Sequence, residues 1–305
     1  MKSLPIALLV TILLLSSGIN LYSDNDVWRN YDGIGPGPRV GHTLTELDGT
    51  IYLLGGQLVG ENGDGIGEFN DLWAYDEDKQ WAQEEILTTL LPQPRTEHIA
   101  AAANYNLYTF GGRNEKGFEC SNNIWQYDPA TKEWFAPNVP GNAPPTRTSS
   151  CMISINGKIY MYGGQTSGII LNDLWYYNPT SNSWNNRTSS SVKSSYGHTA
   201  GVLNGKMYVF GGHNGEKPNN DFKFYNPFNG LWTNIEIEKF EKSNDKHVFE
   251  STAPSPRFNH CAVSDSSRLW IFGGTDEEGN DLAETWMFDP ETEKWYRMTD
   301  GPAFT

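Results

Sequence analysis

The chain has 305 residues, with 37 acidic side chains against 22 basic ones and a formal net charge of −15. This acidic excess disfavours binding to nucleic acid and to anionic membranes, whose protein partners are usually basic, and favours solubility or cationic partners. Its three cysteines are few for an exported protein, so the core is not expected to depend on disulfide bridges.

The N-terminal segment has the features of a signal peptide. Lys2 supplies a positive start, residues 6–15 are apolar apart from Thr11, and residues 16–18 are small. This apolar core is too short to span a bilayer. We therefore expect residues 1–18 to be removed and the mature protein to be exported to the extracellular space, a periplasm or an organelle lumen. The alternative is an uncleaved anchor.

Five Gly–Gly pairs recur along the chain, each directly after an apolar strand. They are Gly55-Gly56, Gly111-Gly112, Gly163-Gly164, Gly211-Gly212 and Gly273-Gly274. A recurrence at intervals of roughly 50 residues indicates a repeat architecture rather than separate motifs.

Two polar positions precede every Gly pair at a fixed distance. Sixteen residues before the first glycine stand Arg39, Arg95, Arg147, Ser195 and Arg257. Thirteen residues before it stand His42, His98, Ser150, His198 and His260. Fixed spacing and turn signals such as Asn156-Gly157 predict two paired strands, a and b, with a tight turn between them.

Two further apolar strands, c and d, follow each Gly pair at a variable distance. Strand d carries one tryptophan in each unit: Trp81, Trp134, Trp184, Trp232 and Trp295. Each unit is therefore predicted to be four short antiparallel strands with variable b–c and d–a connections. One such unit cannot bury both of its faces, so neighbouring units are expected to stack and bury their aromatic rows between them.

The succession of an aromatic strand, a Gly pair, a Tyr-Asp step and a tryptophan resembles the kelch repeat family over roughly residues 26–300. The resemblance implies a β-propeller in which each repeat is one four-stranded blade around a central channel. We expect residues 19–305 to form a single all-β domain of five blades. Val27–Asn30 looks like another copy of strand d and predicts an extra N-terminal strand. The alternative is a six-bladed ring that this chain leaves incomplete.

The repeated arginines and histidines have two interpretations. A residue that recurs once per blade at fixed spacing is usually structural, so we expect the arginines to donate to loop carbonyls or to a neighbouring blade. The alternative is a carbohydrate-active enzyme, of isomerase, mutarotase or lyase type, with its site at the channel mouth. Its residues would be Arg39, Arg95, His42, His98, His198 and Arg257.

No motif in the sequence assigns a catalytic residue, a cofactor or a metal. Some plant kelch proteins carry an iron motif of Glu, Asp and His at four-residue steps, but no histidine here has an aspartate four positions before it. Zinc spacing, a nucleophile elbow and a phosphate loop are also missing from the sequence. An enzymatic function is therefore the less favoured expectation.

The b–c loops are the better candidates for binding, because loops on a rigid scaffold commonly carry binding residues. The candidate residues are Arg113, Phe118, Gln165, Ile169, Ile170, His213 and Asp276. Residues 233–256 form the longest departure from the repeat and are expected on the same face. These features predict a monomeric module that binds a protein or a carbohydrate.

Two further expectations concern covalent chemistry. Cys120 and Cys151 fall near the same face of adjacent blades, where they would form a bridge; the alternative is that they are free thiols, like Cys261. Asn186 begins an N-glycosylation sequon, which matters if the source is a eukaryote.

Overall fold

The computed structural model describes residues 20–24, 27–31, 35–59, 65–76, 80–114, 116–237, 253–265 and 267–300. All regular elements among them are β-strands. These residues include no helix with the length and apolar character needed to cross a membrane. The predicted signal peptide and residues 238–252 of the insertion lie outside the described residues.

An N-terminal hairpin precedes the repeats. It consists of β1 (Asn20–Asp24) and β2 (Val27–Tyr31), which pair antiparallel with each other. The extra strand predicted at Val27–Asn30 is therefore present, and its described partner is β1 rather than a blade. A partner so close in sequence costs little loop-closure entropy.

Five four-stranded antiparallel sheets follow in chain order, as the repeats predict. Blade 1 contains β3 (Thr43–Leu47), β4 (Thr50–Leu54), β7 (Leu72–Asp76) and β8 (Gln80–Gln83), and its b–c connection contains β5 (Gln57–Val59) and β6 (Gly65–Glu68). Blade 2 contains β9 (Ile99–Ala103), β10 (Asn106–Phe110), β11 (Trp125–Asp128) and β12 (Glu133–Phe135).

The remaining three blades repeat this order. Blade 3 contains β13 (Cys151–Ile155), β14 (Lys158–Tyr162), β17 (Leu174–Asn178) and β18 (Ser183–Asn186), with β15 (Gln165–Thr166) and β16 (Ile169–Ile170) in its b–c connection. Blade 4 contains β19 (Thr199–Leu203), β20 (Lys206–Phe210), β21 (Phe222–Asn226) and β22 (Leu231–Ile235). Blade 5 contains β23 (Cys261–Ser264), β24 (Leu269–Phe272), β25 (Glu284–Asp289) and β26 (Lys294–Asp300).

A chain of backbone hydrogen bonds joins the innermost parts of successive blades. Glu97 N–H donates to Gly41 O (2.8 Å), Ser149 to Glu97 (3.3 Å), Gly197 to Ser149 (2.7 Å) and Asn259 to Gly197 (2.7 Å). All five residues have positive φ, between 52° and 66°. Within the described part of the chain, no such bond links Asn259 to Gly41, so this series of bonds runs from blade 1 to blade 5 without closing on itself.

Aromatic rings fill the spaces between neighbouring blades. An aromatic side chain of strand b in one blade contacts strand c or d of the next blade in the pairs Tyr52–Tyr127, Phe110–Trp184, Tyr162–Trp232 and Phe210–Trp295, with centroids 6.2, 5.6, 4.9 and 5.2 Å apart. Such pairs add about 0.5–1.5 kcal/mol each beyond the area they bury. The core is thus a set of layers between blades, as the stacking argument predicts.

The Gly pairs form the joints between blades. In blade 3, Gly163 and Gly164 have φ of +60° and +90°. A Cβ on Gly163 would lie 2.7 Å from the Ser195 carbonyl oxygen of the next blade, and one on Gly164 would lie 2.7 Å from Cβ of Ser150 in its own blade. Both positive φ and close approach therefore require glycine here, as expected from the sequence.

Candidate functional site

The repeated arginines fix the fold of their own blades. Each donates Nη1 to the carbonyl of the first glycine of the pair, 2.9–3.0 Å away: Arg39 to Gly55, Arg95 to Gly111, Arg147 to Gly163 and Arg257 to Gly273. Each also donates Nε to the carbonyl two residues before it. The constant sixteen-residue spacing is the sequence distance across this hydrogen bond, and the structural interpretation of the arginines is confirmed.

Three of these arginines also share a carboxylate with a tryptophan of strand c. The ion pairs are Arg39–Asp71 (2.6 Å), Arg147–Asp173 (2.7 Å) and Arg257–Glu284 (2.6 Å). The indole donors are Trp73 (2.7 Å), Trp175 (2.8 Å) and Trp286 (3.3 Å). Burial alone would raise the pKa of Glu284, but the hydrogen bond and charge of Arg257 outweigh it and hold that pKa below its usual value.

Blade 4 departs from this arrangement at two positions. Ser195 replaces the arginine and donates to Gly211 O at 3.4 Å. Lys223 replaces the tryptophan, with Nζ 3.0 Å from the Tyr162 hydroxyl. Burial lowers the pKa of Lys223 to about 8, while the charge of Asp221 acts in the opposite direction. The cation of this blade therefore comes from strand c instead of the segment that precedes strand a.

The repeated histidines line a central cavity of about 590 Å³, bounded by the innermost strands of all five blades. Burial, followed by the charge of Arg39, lowers the pKa of His42 to about 4. Burial, followed by the charge of Lys223, lowers the pKa of His198 to about 3. Burial likewise holds the pKa values of His98 and His260 well below the usual value. A catalytic base works best with a pKa near the operating pH, so these neutral rings give the enzyme alternative little support.

The b–c connections open beside this cavity and form one mouth of the channel. We call the surface formed by residues 113–114, 116–119, 165–170, 213–218 and 275–281 the rim. Short antiparallel bridges attach it to the residue after the arginine position in blades 2 to 5: Thr96–Arg113, Thr148–Gln165, Tyr196–His213 and Phe258–Thr275. The predicted candidates Arg113, Gln165 and His213 thus occupy equivalent places on successive blades.

The loops of blades 2 and 3 are joined at the rim. The Glu119 carboxylate accepts from Thr166 Oγ1 at 2.8 Å and from the Ser167 amide. Phe118 precedes Glu119, and Ile169 pairs with Thr166 in the β15–β16 hairpin. Phe118 is 66% exposed and Ile169 63% exposed. Two predicted apolar candidates thus stand in solvent on loops that contact each other.

A polar network lies beside these two apolar side chains. Arg113 Nη2 is 2.7 Å from the Glu97 carboxylate, and Ser149 Oγ donates to the same carboxylate at 3.3 Å. The hydrogen bond to Glu97 raises the pKa of Arg113 above its usual value. Glu97 also lines the central cavity. The network therefore connects the rim with the central cavity.

The remaining predicted residues extend the rim toward blades 4 and 5. A Cβ on Gly215 would lie 2.8 Å from Cδ1 of Ile170, so the loops of blades 3 and 4 are close. The His213 ring contacts the rings of Tyr196 (tilted) and Phe258 (edge to face) at centroid distances of 5.1 and 5.3 Å. The hydrogen bonds of the Asp276 carboxylate stay within its own turn, where it accepts from Asn280.

Sequence reasoning missed four residues in or beside the rim: Glu97, Glu119, Tyr196 and Phe258. Three of them lie between the arginine and histidine positions of the repeat frame, where the intervening residues do not recur. The signal was variation at that place, since the residue after the arginine position is Val40, Thr96, Thr148, Tyr196 or Phe258. Two aromatic residues at such a position indicate a surface that differs around the ring.

The cysteines do not form the predicted bridge. Cys120, Cys151 and Cys261 are all free, and Cys120 and Cys151 are buried. Cys151 directs its thiol toward the Tyr162 carbonyl at 3.8 Å within blade 3, whereas Cys120 interacts electrostatically with Arg95 in blade 2. The bridge prediction is corrected to the free-thiol alternative. Asn186 is exposed at the end of β18, and its glycosylation stays a prediction.

Family models match the same repeats. Residues 94–135 and 256–302 match the kelch motif, and residues 131–241 match the Attractin/LZTR1 beta-propeller. Together with the five-bladed all-β fold, these matches identify the chain as a kelch-repeat β-propeller protein.

Several curated proteins are similar over about half of the chain. The flagellar outer-arm dynein alpha chain of Chlamydomonas reinhardtii is 30% identical over 53% of this chain and 4% of its own length. The Rab9 effector protein with kelch motifs of Xenopus laevis is 30% identical over 50% of this chain and 41% of its own length. Kelch repeat and BTB domain-containing protein 12 of Danio rerio is 28% identical over 48% and 25%, respectively. The chain therefore spans less than half of each of these relatives.

Proposed function

We propose that the chain is a protein-interaction module that binds its partner with the rim. The relatives support this, since one of them is named as an effector of another protein, Rab9. The arginines of the enzyme alternative are held in structural hydrogen bonds and its histidines have lowered pKa values, whereas the loops of the rim vary from blade to blade. A rigid scaffold that presents variable loops suits recognition.

The observation that carries the proposal is the pair of exposed apolar side chains, Phe118 and Ile169, beside the ion pair of Arg113 and Glu97. Binding hot spots of protein interfaces are enriched in aromatic residues and arginine, surrounded by contacts that exclude water. Phe118 and Arg113 have these two chemistries on one loop. The hydrogen bonds from Thr166 and Ser167 to Glu119 attach the hairpin that carries Ile169 to the loop that carries Phe118.

The charge of the chain indicates the partner's chemistry. The net charge is −15, and the rim carries an excess of acid: Glu119, Glu216, Asp276, Glu277, Glu278 and Asp281 against Arg113, Lys116 and Lys217. Opposite charge speeds association and suppresses wrong partners. We therefore propose a protein partner with an apolar anchor flanked by basic residues. Residues 233–256 are included in the proposed surface, of which 238–252 lie outside the described residues.

Site-specific photo-crosslinking tests the rim. Benzoylphenylalanine is placed at position 118 and, as a matched control, at position 228, where Phe228 is 98% exposed on the c–d turn of blade 4. We expect protein adducts at position 118 that excess unlabelled chain suppresses, and none of them at position 228. The same adducts at both positions, or none at position 118, would refute the rim as the binding surface.

A glycan array run with the same protein separates the two ligand classes. If the partner is a protein, any saturable glycan binding should be unchanged in the Phe118→Ala variant. If a glycan binds and Phe118→Ala removes it, the ligand class is carbohydrate and the protein proposal is wrong. Phe228→Ala is the control for nonspecific loss of an exposed ring.

We also propose that the chain works after export. The support is the charged start, apolar core and small residues of positions 2–18. Expression of the full chain in a secreting host should yield protein in the medium with residues 1–18 removed, as intact-mass analysis would show. Retention in the cell with an intact N-terminus would contradict this.

A further inference from the structure

Blades 1, 3 and 5 share one buried polar arrangement, in which a carboxylate accepts from both a guanidinium and an indole N–H. In blade 3, for example, Asp173 accepts from Arg147 at 2.7 and 2.8 Å and from Trp175 Nε1 at 2.8 Å. The Arg147 side chain is fully buried, while Asp173 is 15% exposed. The carboxylate neutralises the buried cation and satisfies the indole.

Blade 2 has the cation and the indole but no described carboxylate between them. Arg95 is 1% exposed and donates Nε to Gln93 O (3.0 Å) and Nη1 to Gly111 O (2.9 Å). Its Nη2 has no partner among the described residues. Trp125 is 7% exposed, and its Nε1 is buried without a hydrogen-bond partner in the described part of the chain.

A local difference in sequence explains the missing carboxylate. The amide of Cys120 donates to Gly112 O, as the amide of Phe69 donates to Gly56 O in blade 1. One residue more separates Cys120 from Trp125 than separates Phe69 from Trp73. Asn123, which stands where the other blades have the acid, is exposed. The longer loop therefore carries a neutral side chain out to solvent.

The unpartnered donors, Nη2 of Arg95 and Nε1 of Trp125, define the chemistry of a ligand that would bind between them. A buried guanidinium without a counter-charge and a buried N–H without an acceptor are both costly. One small acceptor with one negative charge satisfies both, in the place that a carboxylate takes in the other blades. The Cys120 thiol is a further neighbour; burial raises its pKa, the charge of Arg95 lowers it, and the charge of Glu68 adds a smaller rise.

We propose that blade 2 binds a small monovalent anion, a halide or a free carboxylate such as formate, between Nη2 of Arg95 and Nε1 of Trp125. The anion takes the role that the side chains of Asp71, Asp173 and Glu284 have in blades 1, 3 and 5. This inference is independent of the proposed partner binding at the rim.

Thermal unfolding at constant ionic strength tests the site in the full chain. Sodium bromide replaces sodium gluconate stepwise, because gluconate is too large for a space that suits a side-chain carboxylate. A saturable rise in Tm is expected, roughly 5–10 °C when bromide reaches 100 times its Kd. Formate should compete for the same response. An unsaturable response or none would overturn the proposal.

Two matched variants locate the response. Trp125→Phe removes the indole donor of blade 2, and Trp175→Phe removes the equivalent donor of blade 3, where Asp173 is present. We expect the bromide response to disappear in Trp125→Phe and to persist in Trp175→Phe. A response that survives in both, or disappears in both, would place the anion elsewhere.

Anomalous scattering from bromide in crystals of the unmodified protein keeps the test valid if Trp125→Phe fails to fold. A peak between Arg95 and Trp125, at bromide concentrations that saturate the Tm response, is expected. A water molecule at that place, or a bromide seen at crystal concentration only, would overturn the proposal.

Discussion

The ion pair of blade 3 offers a sharp test of how the blades are held together. Asp173→Asn keeps the shape of the side chain but removes the charge that neutralises Arg147, whose side chain is fully buried. Removal of one partner of a buried pair costs about 3–5 kcal/mol. Arg147 retains its bonds to the Gly163 and Pro145 carbonyls, and Asp173 is 15% exposed, so the lower end applies, about 3 kcal/mol.

Urea unfolding followed by tryptophan fluorescence at pH 7 measures this loss, and calorimetry should show a fall in Tm of about 6–12 °C. The control is Asn123→Ala in blade 2, at the corresponding position, where no bond to the arginine exists. We expect that change to stay within about 0.5 kcal/mol. A loss below 1 kcal/mol for Asp173→Asn, or equal losses in both variants, would refute the assigned role of the carboxylate.

Three further predictions concern the joints and their charges. Gly163→Ala should destabilise the fold by about 2 kcal/mol more than Gly168→Ala. Both glycines have positive φ, but only Gly163 faces backbone of the next blade. Urea unfolding measures the difference, and equal effects would contradict the reasoning. His198 is buried with its pKa lowered to about 3, so the unfolded chain binds the extra proton and stability falls as pH drops below about 6.5. His198→Gln should make the slope between pH 6 and 4 shallower by about 1.4 kcal/mol per pH unit, and an unchanged slope would refute this. Ser195→Arg and Lys223→Trp should each lower the free energy of unfolding. In a double-mutant cycle, the double variant should be more stable by about 2 kcal/mol than the sum of the two losses predicts. Additive losses would show that the two positions are not coupled.

Much of the rim was within reach of the sequence, because loops of variable length are visible between fixed strands. Phe118 and Ile169 were identified as candidates from their place in the b–c loops, and both are exposed. Their contact through Glu119 was not visible, since it joins residues of two blades that are distant in sequence. The assignment of Arg95 and His98 to a mouth of the channel did not anticipate their burial, at 1% and 4% exposure.

The sequence by itself determined the blades. Each Gly pair, arginine and tryptophan recurs at a distance set by hydrogen bonds within one blade, such as Arg147 to Gly163, so a local pattern carries enough information. Only the tertiary structure decided how the blades differ: that Lys223 of strand c supplies the buried cation of blade 4, that Arg95 has no described carboxylate, and that the cysteines stay apart. These features depend on contacts between strands or blades that the spacing along one chain does not encode.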